Sequence, residues 1–346
     1  MIYDCIVIGG GQAGLASAYY LKKENLNYLI LDNQDRAGGA WLHTWENLHI
    51  FSPAENSSLP GYIMPKDTFD YPHKNHVIKY LSDYEKRYDL NIERPVNVLS
   101  IKKIEGKFEI TTDKSIYYSK TIIAATGTWT NPVIPNFKGM DKFKGEIIHS
   151  ANYYSADNFK GKNVFVIGAG NSGAQIIADL NGIANTFWIT DKTPNILPEN
   201  IDGRYLFSLA TEYYRAKQSG GKLEYKGDLG DIVQIPSVKK ALQDGKLSFY
   251  PMFDEIDEEG AKWGNTRLNA DWIILCTGFK SSFEYLSPLN IIKDGRINTD
   301  KARALDIEGL WCMGFGNWTG FASATLIGVG RFAKESAQQI RKYLKN

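Results

Sequence analysis

The sequence has few cysteines, no long apolar run and almost no net charge. Its cysteines, Cys5, Cys276 and Cys312, are scattered and form no C-x-x-C pair, which argues against a dithiol redox enzyme. The formal net charge of +1 offers no basic field for nucleic acid or an anionic membrane, so we expect neither as a partner. The five histidines show no spacing that indicates a metal site.

The N-terminus and the apolar segments exclude two further classes of protein. The opening residues MIYDCIVIGGG enter a predicted strand at once and lack the basic start and apolar stretch of a signal peptide. No apolar run approaches the roughly 18 residues that span a membrane. These two features predict a cytoplasmic protein. We also predict two domains, because a chain of 346 residues exceeds what one simple core holds.

The sequence does contain two glycine-rich turns. The first, DCIVIGGGQAGLASAYYLKKE, places Gly9, Gly11 and Gly14 in G-x-G-x-x-G between a predicted buried strand and a helix. Gly9 allows a tight turn, Gly11 lets the backbone approach a pyrophosphate, and Gly14 lets helix and strand pack closely. The next predicted strand ends at Asp32, whose carboxylate can accept hydrogen bonds from ribose hydroxyls. The pattern predicts a dinucleotide site at a helix N-terminus.

The second turn, KNVFVIGAGNSGAQIIADL, repeats this order with Gly168, Gly170 and Gly173. The strand after it is followed by Asp191 and Lys192, so the acid is displaced and stands beside a base. Two such units predict two dinucleotides, for which FAD and NAD(P)H are the usual pair. The alternative is a degenerate internal duplication that binds nothing.

Three later predicted strands also end in glycines. TIIAATGTW (121–129) and DWIILCTGF (271–279) each close on Thr-Gly, one after each glycine turn, and GLWCMGFGNW (309–318) closes on glycines near the end of the chain. Such strands return the chain to a nucleotide-binding sheet, where the glycine passes close to the cofactor. The helix predicted after the last strand starts among small and hydroxylated residues, and its N-terminus would favour negative charge on a reduced flavin.

The segment FKGEIIHSANYY lies between the two turns. Its Phe143, Gly145, His149 and Tyr153 match the four fixed positions of the flavin-monooxygenase signature, and the chain resembles the class B flavoprotein monooxygenases. That group contains the flavin-containing and the Baeyer–Villiger monooxygenases. Tyr154 stands where the family usually has Lys or Arg. The resemblance implies that this segment links the FAD and NADP sites and governs domain motion and cofactor handling.

The likeness extends over nearly the whole chain, with two departures. RAGGAW (36–41) resembles the Gly-Gly-x-Trp stretch beside the isoalloxazine, and other segments resemble a compact bacterial branch often associated with arsenic or metal resistance. Where better-studied relatives place an Asn near the flavin C4a, this chain has Phe51 and Ser52. Asn317 stands where many flavin enzymes have a ribityl-binding Asp.

The predicted fold is α/β, with two Rossmann-like dinucleotide-binding domains. The FAD domain comprises 1–155 and 280–346, and the NAD(P)H domain, 156–279, is inserted into it. The stretch 200–250 is poor in clear strands, and Gly220 with Gly221 suggests a loop. It either covers the cleft or is an irregular connection.

The resemblance implies an FAD-dependent, NAD(P)H-consuming monooxygenase that forms a C4a-(hydro)peroxyflavin from O2 and oxygenates a small molecule. The substrate would be a sulfide, an amine or a ketone. We expect relaxed choice between NADH and NADPH and partial uncoupling, and a homodimer is an open option. One rival is an NAD(P)H oxidase or reductase that inserts no oxygen; another is a flavin-bound regulatory or assembly protein for metal efflux.

The candidate residues divide into two sets, with no metal ligand in either. The catalytic candidates are Phe51, Ser52 and His149. The cofactor-binding candidates are Gly9, Gly11, Gly14, Asp32, Gly39, Trp41, Val98, Gly127, Gly168, Gly170, Asn171, Gly173, Asp191, Lys192, Gly278, Gly314, Asn317 and Thr325.

Overall fold

The computed structural model describes residues 1–206, 208, 209, 212 and 230–345. Within these residues the strands are β1 (Ile2–Ile8), β2 (Tyr28–Leu31), β3 (Ile92–Glu93), β4 (Val98–Ile104), β5 (Lys107–Thr112), β6 (Ile116–Ala124), β7 (Glu146–His149), β8 (Asn163–Ile167), β9 (Asn185–Thr190), β10 (Phe249–Pro251), β11 (Glu255–Ile256), β12 (Gly260–Trp263), β13 (Thr266–Asn269), β14 (Trp272–Leu275), β15 (Ile292–Lys293), β16 (Arg296–Ile297), β17 (Thr299–Asp300), β18 (Arg303–Ala304) and β19 (Leu310–Cys312). The longer helices are α1 (Gln12–Lys23), α2 (Lys74–Arg87), α3 (Asn171–Asp179), α4 (Pro236–Gln243) and α5 (Leu326–Tyr343).

The first sheet is built around β1. Residues 5–8 of this strand are almost wholly buried on both faces, as expected for a parallel strand covered by helices. It pairs in parallel with β2 and with β6, and β3 and β19 extend the sheet on either side. β4 and β5 add an antiparallel extension to β6. The first glycine turn therefore begins at the carboxyl end of β1, the edge of such sheets at which ligands bind.

The second sheet has the order β10-β9-β8-β14-β7, with every neighbouring pair parallel. β11, β12 and β13 form a small antiparallel sheet beside it. β7 comes from the predicted linker, and its Ile147 pairs with Ile273 of β14. The predicted boundary at 155/156 leaves this strand in the first domain, whereas its backbone pairing lies in the second sheet. That pairing is with β14, which is remote in sequence, so a local sequence pattern does not predict it.

Helices cover the sheets through spaced apolar faces. In α5 the buried positions 329, 332, 333, 336, 337 and 340 recur at helical spacing, and this face joins α1 and α2 in one hydrophobic cluster against the first sheet. α3 and α4 bury Ile176, Ile177, Val238 and Ala241 in the corresponding cluster of the second sheet. The two sheets thus have separate cores.

The predicted α/β fold with two dinucleotide-binding units is confirmed. The late strands β17–β19 and helix α5 return to the first sheet. The predicted loop at Gly220 and Gly221 lies outside the described residues. Among the residues that are described, no helix combines the length and the apolar character needed to cross a membrane.

Candidate functional site

The three glycines of the first turn have different reasons to be glycine. Gly9 has φ +104°, and a Cβ there would lie 2.6 Å from the carbonyl oxygen of Ala125. A Cβ on Gly14 would lie 1.9 Å from the carbonyl oxygen of Gly9. Gly11, by contrast, would bring its Cβ no closer than 3.9 Å to another part of the protein, the Cα of Gly39. The protein therefore leaves space at Gly11 that a bound pyrophosphate would fill.

The space at Gly11 belongs to a cavity of about 590 Å³, here called the dinucleotide cavity. It extends from the glycine turn along the carboxyl ends of β1, β2 and β6, as an extended dinucleotide requires. The sequence-predicted residues that line it are Gly9, Gly11, Asp32, Gly39, Trp41, Val98, Gly127 and Gly314. Asn317 is exposed and does not line it, so the structure does not bring this predicted residue to the cavity.

Asp32 is held in place by a partner that the sequence patterns did not reveal. Its side chain is buried, and Oδ2 accepts a hydrogen bond of 2.8 Å from Nε of Arg94. Arg94 donates two further bonds of 2.8 Å to the carboxylate of Glu85. This leaves Oδ1 of Asp32 without a hydrogen bond among the described residues, so it can accept one from a ribose hydroxyl. A Cβ on Gly10 would lie 2.6 Å from Oδ2 of Asp32, so a larger residue there would displace this carboxylate.

The second glycine turn repeats this division of roles. A Cβ on Gly168, which has φ +134°, would lie 2.4 Å from the carbonyl oxygen of Cys276, and one on Gly173 would lie 2.6 Å from that of Gly168. At Gly170 the nearest atom would be 4.0 Å away, so this turn also leaves open space at its middle glycine. Gly278, with φ +81°, is likewise open, because a Cβ at this residue would meet no atom within 4 Å.

The polar residues predicted around the second turn differ in whether their side chains are bonded within the protein or exposed. Asn171 donates from Nδ2 to the carbonyl oxygen of Asp231 at 2.7 Å, and its Oδ1 accepts from the backbone N–H of Val233 at 3.2 Å. Its amide therefore fastens a loop, which leaves little capacity for a cofactor. Asp191 and Lys192 are both exposed just beyond the end of β9.

A second cavity, here called the apolar chamber, lies between the two glycine turns and has a volume of about 330 Å³. It shares with the dinucleotide cavity the lining residues Gln12, Ala40, Trp41, Trp129 and Ala324. Trp41 donates from Nε1 to Oε1 of Gln12 at 3.0 Å, and Gln12 donates from Nε2 to the carbonyl oxygen of Ala324. Gln12, which the sequence patterns missed, thus connects both walls where the cavities meet.

The N-terminus of α5 lies at the same junction. Thr325 lines the apolar chamber, and its Oγ1 caps the helix by accepting a hydrogen bond from the N–H of Gly328 at 3.0 Å. Leu326 and Ile327 of the first turn also line the chamber. The positive end of the helix dipole therefore faces the apolar chamber.

Phe51 and Ser52 both line the apolar chamber. Ser52 is buried, and its hydroxyl lies 2.7 Å from that of Ser57, which also contacts the carbonyl oxygen of Pro53 at 2.9 Å. A hydroxyl has one proton to donate, so if Ser57 donates to Pro53, Ser52 must donate to Ser57. The hydrogen of Ser52 is then not available to a ligand. Asn56 also lines the chamber, and its amide has no hydrogen-bond partner among the described residues.

His149, the third catalytic candidate, lines neither cavity. Its Nδ1 accepts from the N–H of Ala151 at 3.1 Å, so Nε2 carries the proton and donates to the carbonyl oxygen of Gly278 at 3.1 Å. Burial lowers the pKa of this imidazole, which favours the neutral form. His149 joins the end of β7 to the turn after β14, so the structure gives it a structural role.

The other fixed positions of the same segment also have packing roles. A Cβ on Gly145 would lie 2.4 Å from the carbonyl oxygen of Asp271. Tyr153 is buried and donates from its hydroxyl to Asp179 at 2.6 Å. Tyr154, which replaces a basic residue of the family pattern, has Nζ of Lys74 5.6 Å from its ring centroid. A cation is therefore present at this position, although it comes from α2.

The chain belongs to the pyridine nucleotide-disulphide oxidoreductase family, whose model matches residues 6–205. Among solved structures it is similar to a flavin-containing monooxygenase from Stenotrophomonas maltophilia, with 37% identity, a TM-score of 0.91 and coverage of 99% of this chain and 100% of that one. Among curated proteins it is 30% identical to an oxidoreductase, CzcO, of Bacillus velezensis, over 98% of this chain and 99% of the relative. It is 28% identical to a probable indole-3-pyruvate monooxygenase of Arabidopsis thaliana, over 90% of this chain and 81% of that protein.

These likenesses confirm the predicted resemblance to the class B flavoprotein monooxygenases and the prediction of an oxidoreductase. The predicted cofactors, FAD and NADP(H), are those of this class. The open spaces at Gly11 and Gly170 fit two pyrophosphates, one in each unit.

Proposed function

We propose that the protein is an FAD-dependent, NAD(P)H-consuming monooxygenase that oxygenates a small molecule at a sulfide or amine, or at a ketone. The observation that carries the proposal is the apolar chamber, which adjoins the dinucleotide cavity through five shared residues and lies between the two glycine turns. Reduction by a nicotinamide and reaction with O2 and substrate then take place at one junction. The monooxygenase relatives support the same activity in general terms.

The bound flavin supplies the hydride acceptor and activates oxygen, while the protein positions and desolvates the reactants. Gln12 and Trp41 hold the wall at which the two cavities meet. Aromatic and aliphatic side chains, Phe51 among them, exclude water from the chamber. Asn56 is the amide on the 51–57 segment that can donate a hydrogen bond into this space, which Ser52 cannot do while it donates to Ser57.

The rival proposal is an oxidase or reductase that consumes NAD(P)H without oxygen insertion. The Ser52–Ser57 pair favours some activity of this kind, because it removes one hydrogen-bond donor from the chamber and so predicts loss of activated oxygen as hydrogen peroxide. A dithiol mechanism is not supported. Burial raises the pKa of Cys5 and of Cys276 to about 12, and burial also raises that of Cys312, so these thiols are poor nucleophiles at neutral pH.

The proposal assigns FAD to the unit formed by 1–155 and 280–346 and NAD(P)H to the unit 156–279, to which β7 contributes its strand. The cytoplasmic location and the homodimer stay predictions, which cell fractionation and light scattering of the purified protein would test.

The decisive experiment measures products, NAD(P)H, O2 and hydrogen peroxide together. Purified holoenzyme is given small sulfides, amines, cyclic ketones and organoarsenicals, and each reaction is analysed for oxygenated product. A monooxygenase yields product containing one atom of oxygen from labelled O2, with hydrogen peroxide accounting for the remaining NAD(P)H. If hydrogen peroxide or a reduced acceptor accounts for all NAD(P)H with every class of substrate, the rival proposal is correct.

A further inference from the structure

Gln175 of α3 is a polar side chain on the wall of the mostly apolar chamber. The residue is only 7% exposed and lines the apolar chamber. Its amide has no hydrogen-bond partner among the described residues. Two other amides of the chamber are paired within the protein: Asn171, on the same helix, bonds Asp231 and Val233, and Gln12 bonds Trp41 and Ala324. The amide of Asn56, on the 51–57 segment, is unpaired among the described residues, as that of Gln175 is. The amide atoms are open to the chamber, and an amide held in an apolar cavity without a protein partner can be bonded by a ligand.

We propose that the amide of Gln175 binds the carboxamide of the nicotinamide ring and positions that ring in the apolar chamber. A side-chain amide offers one carbonyl acceptor and two N–H donors, which match the donor and acceptor groups of a carboxamide. Both groups are neutral, so the pairing suits a chamber whose described lining is mostly aromatic and aliphatic.

The position of Gln175 on its helix favours the nicotinamide over an oxygenated substrate. The N-terminus of α3 follows Gly170, whose open space fits the pyrophosphate of the same dinucleotide. Gln175 lies four residues beyond Asn171, which is about 6 Å along the helix axis and on the same face. The nicotinamide ribose extends from that pyrophosphate, and the ring must reach the junction formed by Trp41 and Ala324 to meet the flavin.

The inference rests on the nicotinamide cofactor, which the monooxygenase and the oxidase or reductase proposals share. It can therefore be tested by binding and by reduction of the enzyme-bound FAD under anaerobic conditions, before any substrate is oxygenated. A failure of this inference and a failure of the proposed monooxygenase activity are thus separate results.

The test compares NADP+ with its 3-acetylpyridine analogue, in which a methyl group replaces the carboxamide NH2. Calorimetric titrations use the FAD-loaded wild-type protein, Gln175→Met and a control, Gln339→Met. Gln339 lies on α5 and accepts a hydrogen bond from Nε1 of Trp311, away from both cavities. We expect the wild type and Gln339→Met to bind NADP+ about tenfold more tightly than the analogue, and Gln175→Met to bind both alike.

A second variant, Gln175→Glu, keeps the shape of the side chain and its acceptors but loses the N–H donors. We expect it to retain a preference for NADP+ over the analogue, because a carboxylate still accepts from the carboxamide NH2. If Gln175→Met does not fold with FAD bound, loss of this preference in Gln175→Glu contradicts the proposal. If Gln175→Met folds and keeps the wild-type preference, the proposal is wrong. It is also wrong if that variant changes only the KM of the oxygenated substrate.

Discussion

The first prediction follows from the open space beside Gly11 and the close packing at Gly14. Gly11→Thr should leave the apoprotein folded but abolish tight binding of FAD, whereas Gly14→Ala should destabilise the protein itself. Gly11 has φ −76° as the N-cap of α1, a conformation that Thr adopts, and Thr caps helices about as well as Gly. The nearest protein atom to its Cβ would be 3.9 Å away. We therefore expect the free energy of unfolding of the apoprotein to change by less than about 0.5 kcal/mol.

The expected loss of FAD affinity follows from the space that the new side chain fills. A pyrophosphate at this turn would accept charge-assisted hydrogen bonds from the backbone, each contributing about 1.5–3 kcal/mol. Loss of one such bond weakens FAD binding by roughly 10- to 150-fold, and steric overlap adds to that. The purified variant should consequently be colourless.

Gly14→Ala is the matched opposite, because its Cβ would lie 1.9 Å from the carbonyl oxygen of Gly9. Overpacking of this kind costs about 1–3 kcal/mol or more, which lowers the melting temperature by several degrees. The assays are FAD titration of each apoprotein by calorimetry and thermal unfolding without FAD. A Gly11→Thr protein that is yellow with wild-type affinity would refute the assignment of the first turn to FAD. An equally stable Gly14→Ala apoprotein would refute the packing argument.

Three further predictions concern the coenzyme, the coupling and the pH dependence. Asp191 and Lys192 are exposed and opposite in charge, so the enzyme should use NADH and NADPH at comparable rates. Asp191→Arg should then favour NADPH a few-fold. A thousandfold preference of the wild type for NADPH in steady-state kinetics would contradict this prediction. Asn56→Ala should raise the hydrogen peroxide formed per NADPH several-fold, since about 1 kcal/mol of hydrogen bonding is lost. An unchanged ratio would show that the amide of Asn56 donates no hydrogen bond that affects the reaction. Burial lowers the pKa of His149 below its ordinary 6.5, so its contribution to stability is full above that pH and is lost as the pH falls below it. His149→Gln should therefore show a flatter fall of melting temperature between about pH 6.5 and 5 than the wild type, and parallel curves would contradict the buried, neutral imidazole.

The sequence by itself determined the two dinucleotide units. Their strands are short, apolar and bounded by glycines, and each glycine turn is formed by residues adjacent in the chain. Gly9 and Gly14 approach backbone atoms of their own turn and of the neighbouring strand, so their spacing carries the geometry. Asp32 and Thr325 were also predictable, because each lies at the end of a recognisable element.

The tertiary structure alone decided which polar groups remain available to ligands. Arg94 lies remote in the chain from the glycine turn, yet the fold brings it to Asp32 of the dinucleotide cavity. Gln12 and Gln175 follow the glycine turns, but only the fold shows that their amides line the apolar chamber. Asn171 and Ser52 stand at predicted positions, but a loop and a neighbouring hydroxyl occupy their hydrogen bonds. The physical reason is that spacing along the chain specifies backbone conformation, whereas the capacity of a side chain to bind a ligand depends on every group that folding places beside it.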